Sequence, residues 1–404
     1  MVLPPDVIFV IHQIGSGADG GIQSISELIF NTPQLRKLVI TNIETPASAR
    51  WQAHAEVRVW PMREAQHGDE VRGLGYRLGQ IWRRLSNNLR LAVLVWQSGT
   101  GVVHCNDHRA FWSSIFGAKL AGAKVILNVR DTMRPGAKSH AMWRLALRLC
   151  DQFLVLSKEM IASWQETLKP VSTLSSQAAK FGYIYSIVDR MKHYPVTEEM
   201  RQALRHSLGI GEDVLAVVCV GRVEEKKGQL KFIERAAWSL LEDNPRIHVY
   251  FVGDFSPKMD PYAAACAKAV DVSGLRGRVS FVGYTSASAD WYRACDLLVL
   301  ASEREGLPRC VIEGLACGAS IVSFDVCSVR EILEGHHCGR VVAQGDYDAL
   351  QREMGLLISD NFERHRLRQV GPVLAAELFD AKRNGLAFSE YIQKLAEMKK
   401  GSGL

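Results

Sequence analysis

Short apolar runs recur along the chain and alternate with longer stretches in which apolar positions return every three or four residues. In the first half the runs are residues 7–11, 38–41, 57–60, 102–104, 124–129 and 153–156. In the second half they are residues 215–220, 248–252, 279–282, 297–301 and 320–324. Runs of this length, bounded by turn residues, predict buried strands, and the stretches between them predict helices. The alternation therefore predicts βαβ units and parallel sheets. Two such series predict an α/β protein of two doubly wound, Rossmann-like domains. The seam is expected at Tyr194-Pro195-Val196-Thr197, where a proline follows a polar, aromatic stretch and a helical pattern begins at Glu198. That gives one domain over 1–196 and a second over 197–375. Over 376–404 a helical segment carries Leu386, Tyr391 and Leu395 at helical spacing and is expected to fray at Gly401-Ser402-Gly403. Ligands of open parallel sheets bind outside the carboxyl ends of the strands, so a deep cleft between two facing sheets is the expected site.

The bulk numbers narrow this picture. The chain has 404 residues, more than one core holds comfortably and about right for two domains. Apolar residues make up 47% and charged residues 23%, as in ordinary globular proteins. No apolar run approaches the ~20 residues that cross a bilayer. The first run has no basic residues before it and reads as a strand rather than a secretion signal. Nine cysteines are scattered without a C-x-x-C pair, which argues against a zinc knuckle. Cys219 and Cys295 lie inside apolar runs and read as free buried thiols. This usage points to the reducing cytoplasm.

The net charge of +6 is unevenly spread. Residues 1–197 carry 23 Lys/Arg against 14 Asp/Glu, and the remainder 26 against 29. A basic first half beside a faintly acidic second half suggests different partners for each. Within the basic half, Val71, Leu74, Leu78, Ile81, Trp82, Leu85 and Leu89 recur at helical spacing among Arg72, Arg77, Arg83, Arg84 and Arg90. Two readings stay open. The element lays its apolar side on an anionic membrane surface, making the protein peripheral, or it packs that side on the sheet with its arginines in solvent.

Three segments carry candidate chemistry. The first is Ser302-Glu303-Arg304-Glu305-Gly306-Leu307-Pro308, continuing to Glu313, directly after the run 297–301. Pro308 suits the first turn of a helix, whose free N–H groups and dipole hold an anion. Glu305 is then in the loop and Glu313 about 7–8 Å along the helix axis. The two carboxylates flank a phosphate-sized positive pocket and are good acceptors for sugar hydroxyls. Read alone, the segment also fits a helix-start charge and a solvent-facing Glu. The second is Gly221-Arg222 with Lys227-Gly228 after the run 215–220. An Arg and a Lys so spaced can clamp a diphosphate and stabilise charge growing on a leaving phosphate. A solvated basic turn is the plainer alternative. It is no Walker loop, because G-x-x-x-x-G-K-[ST] is absent. The third is the glycine-rich 15–21, ending in Gly20-Gly21, which lets backbone approach a ligand or simply turns the chain.

Together these segments resemble glycosyltransferase family 4, the retaining GT-B enzymes. Gly221-Arg222, Lys227-Gly228 and the E-x7-E pair Glu305 and Glu313 carry the resemblance, with Gly20-Gly21 near the start. The resemblance implies a metal-independent transferase that takes a sugar from a nucleotide diphosphate donor and needs no cofactor. It implies that Arg222 and Lys227 bind the diphosphate, that Glu305 touches the donor sugar and that Glu313 touches the ribose. Gly306, Leu307 and Pro308 would present backbone to sugar and phosphate. Val282, Gly283 and Tyr284 would lie beside the base, and Gly20 and Gly21 would close over the phosphates. The last helix of such enzymes returns to the first domain. The acceptor would be a glycan, a lipid-linked sugar or a small molecule, and no nucleic acid is expected. Departures fall mainly on the acceptor side. Many members carry His-x-His where this chain has His104-Cys105-Asn106-Asp107. His104, Asn106, Asp107, Arg109 and, from a neighbouring strand end, Arg130 are the acceptor-side candidates. Ser186-Ile187 stands for the usual Asn-Gly, and Val326-Cys327 for a Gly-Gly. Other readings of the donor residues are a nucleotide-sugar epimerase, which would need an acid and a base at the sugar, and a non-catalytic nucleotide-sugar binding subunit. A nicotinamide oxidoreductase is disfavoured because the glycine loop lacks the full fingerprint.

Overall fold

The computed structural model describes residues 4–13, 20–62, 74–132, 140–168 and 180–400. The chain divides into two compact units, Met1–Ile187 with Ala381–Leu404, and Val188–Asp380. The first unit contains β1 (Val7–Ile11), β2 (Lys37–Thr41), β3 (Glu56–Val59), β4 (Val102–Cys105), β5 (Lys124–Asn128), β6 (Gln152–Val155) and β7 (Phe181–Tyr183). They form a seven-stranded sheet in the order β3-β2-β1-β4-β5-β6-β7. Every neighbouring pair is parallel. All five residues of β1 are buried, because helices cover both faces of such a sheet. On one face Val7, Phe9 and Ile11 pack with Ile22, Ile25 and Ile29 of the helix Gly20–Phe30. The last helix, Ala381–Lys400, belongs to this unit and adds Phe388, Ile392 and Leu395 to the same core. Its Tyr391 hydroxyl donates to Gln152 at 2.8 Å.

The second unit contains β8 (Leu215–Val220), β9 (Ile247–Val252), β10 (Val279–Gly283), β11 (Leu297–Leu300), β12 (Ile321–Phe324) and β13 (Arg340–Val342). The order is β10-β9-β8-β11-β12-β13, again parallel throughout. This is the doubly wound Rossmann order, with the winding reversing between β8 and β11. A buried charge cluster fastens the helix Glu198–Ser207 to it. Arg201 and Arg205 donate to Asp296 at 2.7 and 2.9 Å. Burial opposes the Asp296 charge, but the two arginines outweigh it and hold its pKa below the usual range.

Several details differ from the sequence expectation. The seam lies before Val188, not at Thr197. Val188 N–H donates to Phe379 C=O at 3.1 Å, and Arg293 stacks 4.1 Å over Tyr194 while donating to its carbonyl. Those bonds tie the stretch 188–196 to the second unit, and buried Phe379 keeps the residues up to Asp380 there too. The strands β7 and β13, three residues each, were not anticipated from the apolar runs. The helix around Leu78 runs from Leu74 to Ser98, while residues 71–73 lie outside the described residues. Its apolar stripe points to solvent instead of packing on the sheet, and Gln80, Asn87 and Asn88 are buried instead. No described helix is long and apolar enough to cross a membrane.

Candidate active site

In the second unit the winding reversal puts the carboxyl ends of β8 and β11 side by side. The loop after β8 comes back against the end of β11 through Gly228. Gly228 has φ of 71°, and a Cβ there would sit 2.2 Å from the Ala301 carbonyl oxygen. Only glycine combines that left-handed turn with that approach. The bond from Glu303 N–H to Lys226 C=O, 2.8 Å, closes the loop on the strand end. Lys227 is thereby delivered to Glu305, with Nζ donating to Oε1 at 2.6 Å. Both side chains are largely buried. Burial works against the Lys227 ammonium, but the Glu305 carboxylate outweighs it and its pKa sits above the ordinary value. Burial likewise opposes the Glu305 charge, and Lys227 followed by Lys226 outweighs it, so its pKa sits below the ordinary value. Both groups are therefore charged at neutral pH. Lys227, Gln229, Ala301 and Ser302 line a small cavity at these strand ends.

Beyond Glu305 the helix Arg309–Cys317 begins. Pro308 occupies its N-cap, one place earlier than expected, and no side chain caps the helix. The helix start, with the positive end of its dipole, thus lies beside the Lys227–Glu305 pair and favours an anion there. Gly306, Leu307 and Pro308 are buried along the approach. Glu313 is engaged by the protein itself. Arg309 grips its Oε1 with Nε at 2.9 Å and Nη2 at 2.8 Å. The Tyr292 hydroxyl donates to its Oε2 at 3.1 Å, and His193 Nε2 lies 3.8 Å from the same oxygen. Burial pushes the His193 pKa below its ordinary value. His193 Nδ1 faces the Asp189 carbonyl at 3.1 Å, which assigns the ring proton to Nδ1. Sequence reasoning missed Arg309, Tyr292 and His193. Only Arg309, one helical turn before Glu313, had a readable signal.

Arg222 is more than half exposed, with its guanidinium 3.3 Å from Glu224. The structure brings Lys227 and Glu305 together but leaves Arg222 on the outer side of the turn. Val282, Gly283 and Tyr284 lie at the end of β10, with Val282 and Tyr284 exposed. Among the described residues no group of three or more His, Cys, Asp or Glu is placed to hold a metal ion.

In the first unit Gly20 and Gly21 open the helix Gly20–Phe30, and residues 15–19 lie outside the described residues. The acceptor-side candidates separate. His104 is fully buried on β4, with ring centroids 5.1 Å from Phe9 and 5.6 Å from Phe388. Burial, then the Arg130 charge, pushes its pKa down to about 3. A neutral imidazole sealed between two phenyl rings cannot reach an acceptor, so His104 is a core residue. Asp107 caps the helix His108–Trp112, accepting from Ala110 N–H at 2.7 Å. Arg109 sits half-buried in that helix. Asn106 accepts from Arg130 Nε at 3.1 Å and so aims that guanidinium. Arg130 lines a cavity at the ends of β5, β6 and β7 with Asn128, Tyr185, Ser24 and Ser186. The two serine hydroxyls lie 3.1 Å apart. Arg130 with Asn106 therefore remains as a polar site in this unit, and the serines join it.

Residues 200–372 match the family model described as glycosyl transferases group 1. Over 185 residues the chain is 29% identical to the lipopolysaccharide core biosynthesis mannosyltransferase LpsB of Rhizobium meliloti, covering 45% of this chain and 48% of that one. Over 175 residues it is 30% identical to the 2-deoxystreptamine N-acetyl-D-glucosaminyltransferase of Streptomyces fradiae, covering 43% and 40%. The chain thus spans about half or less of these curated relatives. Among solved structures, Anabaena HepE in complex with UDP-glucose superposes with a TM-score of 0.77 at 18% identity, over 96% of this chain and all of that one. Sucrose-phosphate synthase from Thermosynechococcus elongatus gives 0.77 at 16% identity, over 96% and 99%. At such identities the likeness shows the fold, an α/β pair of Rossmann-like domains of the GT-B class.

Proposed function

We propose that this chain, a member of the glycosyl transferases group 1 family through residues 200–372, transfers a sugar from a nucleoside diphosphate donor to a hydroxyl acceptor. The observation that carries this reading is the Lys227–Glu305 ion pair, 2.6 Å long, beside the uncapped start of the helix Arg309–Cys317. Lys227 and the positive end of the helix dipole meet the diphosphate. Glu305, held as a carboxylate, accepts from hydroxyls of the donor sugar. In the transfer the bond from the sugar C1 to the β-phosphate oxygen breaks, and that oxygen takes the charge. Lys227 and the helix start stabilise it, and Arg222 swings in from solvent to add a second cation. The acceptor oxygen bonds to C1, and its proton leaves with the departing phosphate. Attack on the face the phosphate leaves from retains the configuration at C1. These cations do the work of a metal, so the reaction runs without one.

Glu313 acts one step back. Held by Arg309 and Tyr292, it positions the helix start and offers the ribose only its outer edge. In the first unit Arg130 receives the acceptor. The relatives named for lipopolysaccharide core synthesis support an envelope glycan or lipid-linked acceptor, and a cytoplasmic site of action follows from such a donor. UDP is the first donor nucleotide to try, because HepE was solved with UDP-glucose. The test is product analysis with labelled nucleotide sugars over an extract of envelope lipids and glycans. Label should move to the extract as nucleoside diphosphate is released. Recovery of the donor as an epimer, or no transfer of any donor, would overturn the reading.

A further inference from the structure

The helix Leu74–Ser98 is inverted. Leu78, Trp82, Leu85, Leu89, Val93 and Trp96 recur every three or four residues on one side, and all are exposed. Trp82 is 70% exposed, and Trp96 78%. The opposite side, which packs inward, buries the polar Gln80, Asn87 and Asn88 beside Leu91 and Val95. A helix that only capped its sheet would do the reverse. The short helix Ile115–Leu120 docks alongside through Gly117. A Cβ there would sit 1.9 Å from the Asn88 carbonyl oxygen, and Gly117 N–H donates to the Asn88 side chain at 2.8 Å. Its Phe116 and Leu120 are exposed as well, on an element packed against the stripe-bearing helix. The helix is ~37 Å long, so this is a continuous surface rather than scattered residues.

The charge around the stripe selects its occupant. Between Glu70 and Asp107 the sequence has no acidic residue and five arginines, at 72, 77, 83, 84 and 90. Arg83 and Arg90 lie two turns apart along one flank of the stripe. A twofold contact between copies would set these arginines against each other, like charge facing like charge. A bilayer surface offers what the stripe lacks, an apolar layer for the tryptophans and leucines and anionic headgroups for the arginines. We propose that this face, built from Leu74–Ser98 with Phe116 and Leu120, is a docking surface for the anionic face of a lipid bilayer. The helix lies in the surface plane with Trp82 and Trp96 as anchors toward its ends. Docking needs no turnover, so it stands or falls separately from the transfer reaction.

The test is flotation of the full-length protein with vesicles of phosphatidylcholine alone and of phosphatidylcholine mixed with phosphatidylglycerol, at low and high salt, without donor. The protein should float with the anionic vesicles at low salt and be released by high salt. Arg90→Gln should lower partition about fivefold, the equivalent of one basic residue at the surface. Trp82→Ser with Trp96→Ser should lower it by at least about tenfold. All three residues are exposed, and an unchanged melting temperature confirms that the variants are folded. Leu89→Glu is a second, independent disruption of the stripe. Three outcomes overturn the proposal: protein that stays unbound with anionic vesicles, vesicle binding that both stripe variants leave intact, and a dimer by light scattering that those variants dissociate without any vesicle binding in the parent.

Discussion

Lys227 is a buried cation compensated first by Glu305, 2.6 Å away. A bound diphosphate adds a second anion, and growing charge in the transition state rewards the same ammonium again. Lys227→Ala should therefore lower kcat/KM about 10²–10³-fold, the usual loss for one preorganised donor. Lys227→Arg should recover part of it. Steady-state kinetics on folded variants checks this, and near-normal turnover in Lys227→Ala would remove the residue from the reaction. His104 gives the opposite case. Its pKa falls to about 3 from an ordinary value near 6.5, so the folded state resists a proton that the unfolded chain accepts. The sign follows: stability is complete above about pH 6.5 and is lost as the pH drops toward 3, by ~1.4 kcal/mol per unit. His104→Gln should flatten that acid limb in urea unfolding while leaving transfer intact. A steep loss of transfer in His104→Gln would put the imidazole back at the acceptor. Lys227 and Glu305 were each legible as motif residues, but their pairing across 78 positions was not, since only the fold closes that distance. The engagement of Glu313 was hidden for the same reason, with Tyr292 arriving from another element.

At the scale of elements, the loop that carries Lys227 depends on Gly228. Gly228→Ala must place a Cβ against the Ala301 carbonyl, with φ at 71°. Gly274 has a similar φ of 67° and open space around it. Gly274→Ala should cost only the left-handed strain, ~1 kcal/mol. Gly228→Ala should cost clearly more and should also lower transfer, because relief of the clash moves Lys227 off Glu305. Melting curves of the two variants make the comparison, and equal losses would show that the close approach is unimportant. The long strands were readable because β1, β8 and β11 lie between helix layers and are apolar along their whole length. The strands β7 and β13 were not, being three residues long with half-exposed positions that give no period. The stripe of Leu74–Ser98 was readable as a stripe, but periodicity does not say which way it faces. The buried Asn87 and Asn88 settle that, and their hydrogen bonds to Pro61 and Trp112 carbonyls are tertiary.

At the scale of the molecule, the same doubly wound plan is used twice with different charge. The basic unit carries the apolar, arginine-flanked face and the Arg130 cavity. The other carries the Lys227–Glu305 pair and matches the transferase family. On the reading proposed here, acceptor and surface belong to one unit and donor to the other. On the proposed reading, the second unit binds a nucleoside diphosphate through Lys227 without a metal. Titration calorimetry of UDP and other nucleoside diphosphates into the full-length protein in EDTA, repeated with Lys227→Ala, tests it most directly. Saturable binding of at least one nucleoside diphosphate in EDTA is expected, weakened about tenfold or more in the variant. Equal affinity in both proteins, or binding that appears only when a divalent metal is supplied, would contradict it.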